Sequence, residues 1–308
     1  MNTLAPIVMI VFNRPDHTRR VIEALANNLL ASESLLYIFS DASRGSQDES
    51  AVGQVRTIIH QVVGFKQVIP VERSHNYGCS KNVLSGVSEV LEKHDRCIIV
   101  EDDVMAYPLF LQYMNKALDV YQDDSSVFSI GAYSHPFRIP AHYTEETFLL
   151  NRSCSWGWGT WKNAWQQLDL DPEVLHMGMK DTKIRKAFSK NGEDLLRTYK
   201  NSPEIWDLRI CFQQWKLSLN TVFPVQSMVK NIGRDGSGVH YHGGTLNSTD
   251  SDNAPSALPQ LTHLVTVDEA IRKAFIKQLH KPLWRVISTN IARSIGIYDV
   301  LLKRANKR

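Results

Sequence analysis

The sequence predicts an α/β protein built on an open, mostly parallel sheet flanked by helices. Three observations predict it. Apolar, β-branched runs alternate with helix-patterned segments through the first half. Those segments carry apolar residues at helical spacing, as in Val83, Val87, Val90 and Leu91. Ionisable residues collect directly after the strands, where such sheets bind ligands. Strands are expected at 7–12, 35–40, 66–71, 97–101 and 127–130. Helices are expected at 16–30, 48–63, 78–93 and 108–121.

Each strand end is polar. The first runs into Phe12-Asn13-Arg14, the second into Ser40-Asp41-Ala42-Ser43-Arg44, the third near Glu72-Arg73 and the fourth into Glu101-Asp102-Asp103. Solvent alone explains any one polar loop, but four together fit a shared polar site. The second half changes character. Residues 153–161 pack three tryptophans around two glycines, and helical segments follow from about 180 to 219. A glycine-rich stretch at 233–244 carries His240 and His242, and a polar segment around 247–257 reads as a loop or linker. From about 268 the chain reads as helical and basic. The expected division is a domain over 1–250, with a nucleotide half at about 1–130 and an acceptor half at about 131–250, then a linker and basic helical tail over 251–308.

Composition bounds the partners. With 308 residues, 43% hydrophobic and 22% charged, the chain is an ordinary globular one. A net charge of +3 is too small for a nucleic-acid binder, which shows a basic stripe. Cys79, Cys97, Cys154 and Cys211 lack the paired spacing of zinc sites or disulfide frameworks. The apolar run 6–12 is too short for a signal peptide, and no run of about 18 apolar residues is present. A cytoplasmic location is expected, with the inner membrane surface left open. Leu283, Trp284, Ile287, Ile291 and Ile295 lie among Lys and Arg in the tail. They read either as an interfacial amphipathic helix suited to a lipid-linked acceptor or as a helix packed on the domain.

The triplet Glu101-Asp102-Asp103 follows a buried-looking run, so the sheet would hold three carboxylates at one strand end. Their repulsion is relieved either by a divalent cation, Mg²⁺ or Mn²⁺, or by the free N–H groups of a following helix. Here a resemblance becomes specific. The segment CIIVEDDVMAYPLFLQY at 97–113 resembles the acidic metal-binding segment of the N-acetylglucosaminyltransferase I family. Three further segments are similar in the same order: Val11-Phe12-Asn13-Arg14, the helix region 76–86, and Glu204-Ile205-Trp206-Asp207. The WGWGTW stretch is similar to the acceptor-side loop of family-2-like bacterial glycosyltransferases. The likeness spans about 5–245.

That resemblance implies a GT-A, Rossmann-like fold and an inverting, metal-dependent sugar transfer from a nucleotide-sugar to a glycan or lipid-linked acceptor. It implies Asp103 on the metal, Asp102 near the ribose, Asp41 on a uracil-type base, and Arg14 and Lys81 on the diphosphate, with Phe12 and Asn13 beside the nucleotide. A diphosphate leaving group gains negative charge in the transition state, which such cations stabilise. Asp207 is implied as the general base, which must reach the acceptor hydroxyl; an exposed helical face is the other reading. The animal enzymes carry two adjacent acids there, whereas Asp207 is followed by Leu208, so the register of the base is open by one position. Trp156, Trp158 and Trp206 are candidates for sugar contact, or for packing. His240 is the candidate to complete the metal site as its loop closes. Two rivals remain. A sugar nucleotidyltransferase would need a glycine-rich loop after strand one, which Phe12-Asn13-Arg14-Pro15 lacks. A carbohydrate-binding module leaves the strand-end acids unexplained.

Overall fold

The computed structural model describes residues 3–233, 254–264 and 266–279. Its first half is a run of crossover units: β1 (Ile7–Val11), α1 (Pro15–Ala26), β2 (Leu35–Ser40), α2 (Ser46–His60), β3 (Gln67–Glu72), α3 (Gly78–Lys93) and β4 (Arg96–Glu101). The four strands lie parallel in the order β3-β2-β1-β4. After β3 the chain crosses back over β1 to place β4, so the strand order reverses between β1 and β4. A crevice opens outside the carboxyl ends of two strands at such a reversal. β1 is buried along its whole length, as is β4 up to Glu101, as expected for parallel strands covered on both faces.

The second half holds β5 (Val104–Ala106), α4 (Phe110–Val120), β6 (Val127–Gly131), β7 (Thr147–Leu150), β8 (Trp158–Trp161), α5 (Lys162–Trp165), α6 (Pro172–Lys180), α7 (Thr182–Phe188), α8 (Glu193–Asn201), α9 (Trp206–Lys216), β9 (Asn220–Pro224), β10 (Val229–Asn231) and α10 (Glu269–Leu279). The sheet extends to eight strands, β3-β2-β1-β4-β8-β6-β9-β7. β8 runs antiparallel to both its neighbours, and β7 runs antiparallel to β9. The fold is thus mixed α/β with a mostly parallel sheet. β5 and β10 pair as a separate antiparallel ribbon beside the acidic triplet.

One segment folds otherwise than expected. The tryptophan stretch is no loop at its far end: Trp158 to Trp161 form a strand wedged between β4 and β6. Trp158 is 2% exposed, stacked near Trp206 at 5.9 Å and Phe128 at 6.4 Å. Gly159 lies at a close approach. A Cβ there would stand 3.0 Å from Met114 Cε and 3.1 Å from the Cys97 carbonyl oxygen. The backbone cannot give, so Gly159→Ala is expected to lower unfolding stability by about 1–3 kcal/mol, the range for overpacking, in urea titrations.

The C-terminal region returns to the body. Thr262 Oγ1 donates to Glu145 at 2.7 Å, and the Gln260 N–H donates to Glu146. Asp268 then caps α10 by accepting from the Ala270 and Ile271 N–H groups. Ile271 and Phe275 are buried with Phe148 and Phe223 of β7 and β9. The start of the basic tail therefore packs on the domain, while its continuation past 279 lies outside the described residues. No helix among the described residues is long and apolar enough to cross a membrane.

Candidate functional site

The acidic triplet lies at the β1/β4 crevice, and Arg14 meets it there. β1 ends at Val11, and Pro15 opens α1, its fixed φ suited to a first helical position. Arg14 is thereby held at the helix start. Its Nη2 donates to Asp102 Oδ1 and, at 3.1 Å, to Asp103 Oδ2, while Nε donates to Asp102 Oδ2 at 3.3 Å. Burial opposes the guanidinium charge, but the two carboxylates outweigh it and raise its pKa above the ordinary arginine value. Asp102 is 4% exposed. Burial raises its pKa despite Arg14. Glu101 is raised well above the carboxylate range, first by burial and then by Asp103, Asp102 and Asp207.

Three residues that the sequence motifs did not single out, Asn231, Gly233 and His17, complete this end. Asn231, on β10, donates through Nδ2 to Asp103 Oδ1 at 3.3 Å, and accepts the Gly233 N–H on its own oxygen. A Cβ on Gly233 would fall 2.3 Å from Asp103 Oδ2, so only glycine fits against that carboxylate. His17, one turn after Arg14, acts electrostatically on Asp102. Nothing near Asn231 in sequence signals this role; the ribbon pairing creates it.

Phe12, Asn13, Asp41 and Lys81, expected beside a nucleotide, lie just after β1, just after β2 and on α3. Asp41 is 4% exposed and accepts four hydrogen bonds. Oδ1 takes the N–H groups of Ala42 and Tyr77, and Oδ2 takes that of Gly78 and the Asn76 side chain. A carboxylate offers about four lone-pair sites, so Asp41 is fully engaged here, three of its bonds fixing the turn into α3. Lys81 is exposed, its ammonium 4.3 Å over the Tyr77 ring and not on the acidic cluster. Phe12 lies under Arg44, 5.1 Å from ring centre to guanidinium. Asn13 donates to Asp48 at 2.8 Å. Arg44, with Asn13, holds the Asp48 carboxyl down at about 2. Phe12 and Asn13 therefore sit together beside the crevice.

Asp207 stands in the first turn of α9, whose N-terminal end docks on α3 through a hydrogen bond from Ser80 Oγ to the Glu204 carbonyl. Its charge reaches Glu101, and it reaches Cys79 as well. Cys79 is exposed as a residue, yet its thiol faces protein more than water. Burial first, then Glu101, Asp207 and Asp102, push that thiol's pKa up. Strand end β4 and helix start α9 thus converge, although Asp102 and Asp207 are over a hundred residues apart. The next residue, Leu208, is 1% exposed in a hydrophobic cluster with Phe212 and Leu175. No second acid competes at that position.

Asp207 also lines a cavity with Trp156, Tyr133, His135, Arg152 and Asp194. Of the three candidate tryptophans, only Trp156 reaches it. Trp158 and Trp206, at 2% and 3% exposure, belong to the core, because strand β8 and the inner face of α9 carry them inward. Arg152 and Asp194 form a bidentate pair, at 2.8 and 3.3 Å. Burial raises the Asp194 pKa but Arg152 more than reverses this, leaving it below its ordinary value. A depressed carboxylate stabilises the fold above its unfolded pKa of about 3.9 and loses that stabilisation as pH falls toward the folded value. Asp194→Asn is therefore expected to cost on the order of 3–5 kcal/mol at pH 7, leaving Arg152 buried and unpaired. The gap between wild type and variant should narrow below about pH 4, as followed by urea denaturation.

The site's donor set is hard oxygen: two adjacent carboxylates. That fits Mg²⁺ or Mn²⁺, ions held by one or two carboxylates with phosphates and water completing the shell. Among the described residues no group of three metal-ligating side chains occurs, and Arg14 bridges the two carboxylates. His240 lies outside the described residues. The four cysteines are free thiols.

No known protein family matches the sequence, and no curated protein does. Among solved structures, the chain is similar over 42% of its length to the mannosyltransferase PcManGT from Pyrobaculum calidifontis in complex with GDP-Man and Mn²⁺. Identity there is 12%, the TM-score is 0.32, and 35% of that chain is covered. It is similar over 72% of its length to S. aureus TarS 1-349, at 8% identity and a TM-score of 0.42, covering 60% of that chain. The complex of TarS 1-349 with UDP-GlcNAc matches over 46% at 15% identity and a TM-score of 0.32, covering 39% of that chain. In each case the chain spans less than two thirds of the protein it matches.

Proposed function

We propose that this protein is a GT-A-type glycosyltransferase that moves a sugar, with inversion, from a nucleotide-sugar such as a UDP-sugar to a hydroxyl of a glycan or lipid-linked acceptor. The observation that carries the reading is the convergence at the β1/β4 crevice. Arg14, Asp102 and Asp103 gather at the strand ends, and Asp207, at the start of α9, acts on Glu101 of the same strand end and lines a cavity.

In this reading Asp103 would hold Mg²⁺ or Mn²⁺, with Asp102 beside the ribose and the metal's waters, and the ion would supply charge stabilisation for a departing diphosphate. Arg14 exchanges its carboxylate partners for phosphate oxygens, a geometry that suits a guanidinium fork. Asp207 takes the acceptor hydroxyl's proton, and Trp156 lies beside the acceptor. The donor half is about 1–130 and the acceptor half about 131–250. The basic tail beyond the described residues would meet the inner membrane face, and surface polysaccharide synthesis is the fitting role. Nucleic acid is no partner.

The test is a calorimetric titration of UDP with and without Mn²⁺, followed by UDP release from a panel of UDP-sugars. Mn²⁺-dependent UDP binding that disappears in Asp103→Ala is expected. Absence of nucleotide binding under both conditions would overturn the reading.

A further inference from the structure

We infer that the cavity beyond Asp207 is a binding site for a neutral pyranose, and that it favours uncharged sugars over uronic acids. This rests on the glycosyl-transfer reading in so far as the bound sugar is the acceptor. The cavity measures about 170 Å³. Trp156 meets Tyr133 edge to face at 4.4 Å, and His135 lies 5.0 Å from Tyr133 and 5.8 Å from Trp156. These rings make a rigid aromatic corner. A pyranose presents an apolar C–H face to such a surface, and tryptophan offers it at little entropic loss.

The polar part of the lining is built and buried. Arg152 is 9% exposed, with the Phe275 ring of α10 5.6 Å from its guanidinium. Nη1 donates to the Asn191 carbonyl and to Asp194 Oδ1, and Nη2 donates to Asp194 Oδ2. A guanidinium has five N–H groups; among the described residues three are committed, which leaves two for a ligand. Asp194 adds acceptor lone pairs at the same edge. A row of donors beside acceptors suits sugar hydroxyls, each of which both donates and accepts.

Charge then selects among sugars. Of the acidic and basic side chains lining the cavity, Asp194 and Asp207 are carboxylates, Arg152 is a guanidinium and His135 is an imidazole. A ligand carboxylate would meet one cation, already paired, and two like charges. An uncharged ring meets no such penalty. Asp207 belongs to the cavity wall and acts electrostatically on Glu101 at the end of β4, so in the transfer reading a ring bound here is the acceptor.

Saturation-transfer NMR on the full chain without donor tests this, at pH 8, where an ordinary histidine of pKa about 6.5 is neutral. The probes are methyl glycosides of glucose, galactose and N-acetylglucosamine, against methyl glucuronide and methyl galacturonide. At least one neutral glycoside is expected to bind, with both uronides at least about tenfold weaker, a difference of about 1.4 kcal/mol. Trp156→Leu, which removes the platform, and Thr198→Tyr, which fills the cavity, are each expected to weaken the neutral ligand about tenfold or more. Equal binding of a uronide, no binding of any neutral glycoside, or wild-type affinity in both variants overturns the inference. Glycoside binding with this pattern in a chain that fails to bind UDP upholds the sugar site and removes the transfer reading.

Discussion

Asp207→Ala and Asp207→Asn should each reduce turnover by about 10²–10⁴-fold, the span of general acid–base catalysis, while leaving the UDP affinity at the wild-type value. Asp207 lines the cavity and influences Glu101, so the proposed function places it on the acceptor side rather than on the nucleotide. A group that acts only on the proton in flight changes kcat without changing ground-state binding of the donor. Comparing steady-state kinetics with UDP calorimetry separates the effects. Unchanged transfer by either variant would sink the assignment, and loss of UDP binding would move Asp207 to the donor side. Because Leu208 is buried among Leu175 and Phe212, introducing an acid at the next position should not rescue the Asp207 variants.

Arg14→Gln should have opposite effects on two ligands. In the structure Arg14 spans both Asp102 and Asp103, so a divalent cation must compete with an internal one. Removing the guanidinium is expected to strengthen Mn²⁺ binding in the absence of nucleotide by about tenfold, or roughly 1.4 kcal/mol. In the proposed site the same change also removes a charge-assisted donor to the diphosphate, worth about 1.5–3 kcal/mol, so UDP binding should weaken by about ten- to a hundredfold. Electron paramagnetic resonance of free Mn²⁺ reads the first effect, and UDP calorimetry the second. Arg14→Lys keeps the charge but not the two-pronged fork, and should fall between wild type and Arg14→Gln for both ligands. Equal Mn²⁺ affinity in all three proteins would show that the bridge does not guard the carboxylates.

Both expectations turn on contacts that join distant parts of the chain, which local sequence pattern does not encode. The alternation of apolar runs with helical patterning placed β1 to β4 and α1 to α4 within a few residues of where they lie. Hydrophobic periodicity is a local property, written in the segment that folds. The strand-end polarity likewise located Arg14, Asp102 and Asp103, because an open parallel sheet delivers its strand ends to one edge. Local pattern could not tell that Trp158 to Trp161 would be a strand. A four-residue glycine and tryptophan run has no periodicity of its own, and it is the groove between β4 and β6 that makes it extended. Nor could it tell that Asp41 would accept three bonds from the turn into α3, since those donors come 35 to 37 residues later. Asn231, which holds Asp103, and the pairing of Arg152 with Asp194 were decided only by the tertiary structure. Side-chain partnership across such separations depends on where the backbone brings the ends together, and that is a property of the assembled sheet and helices rather than of any one segment.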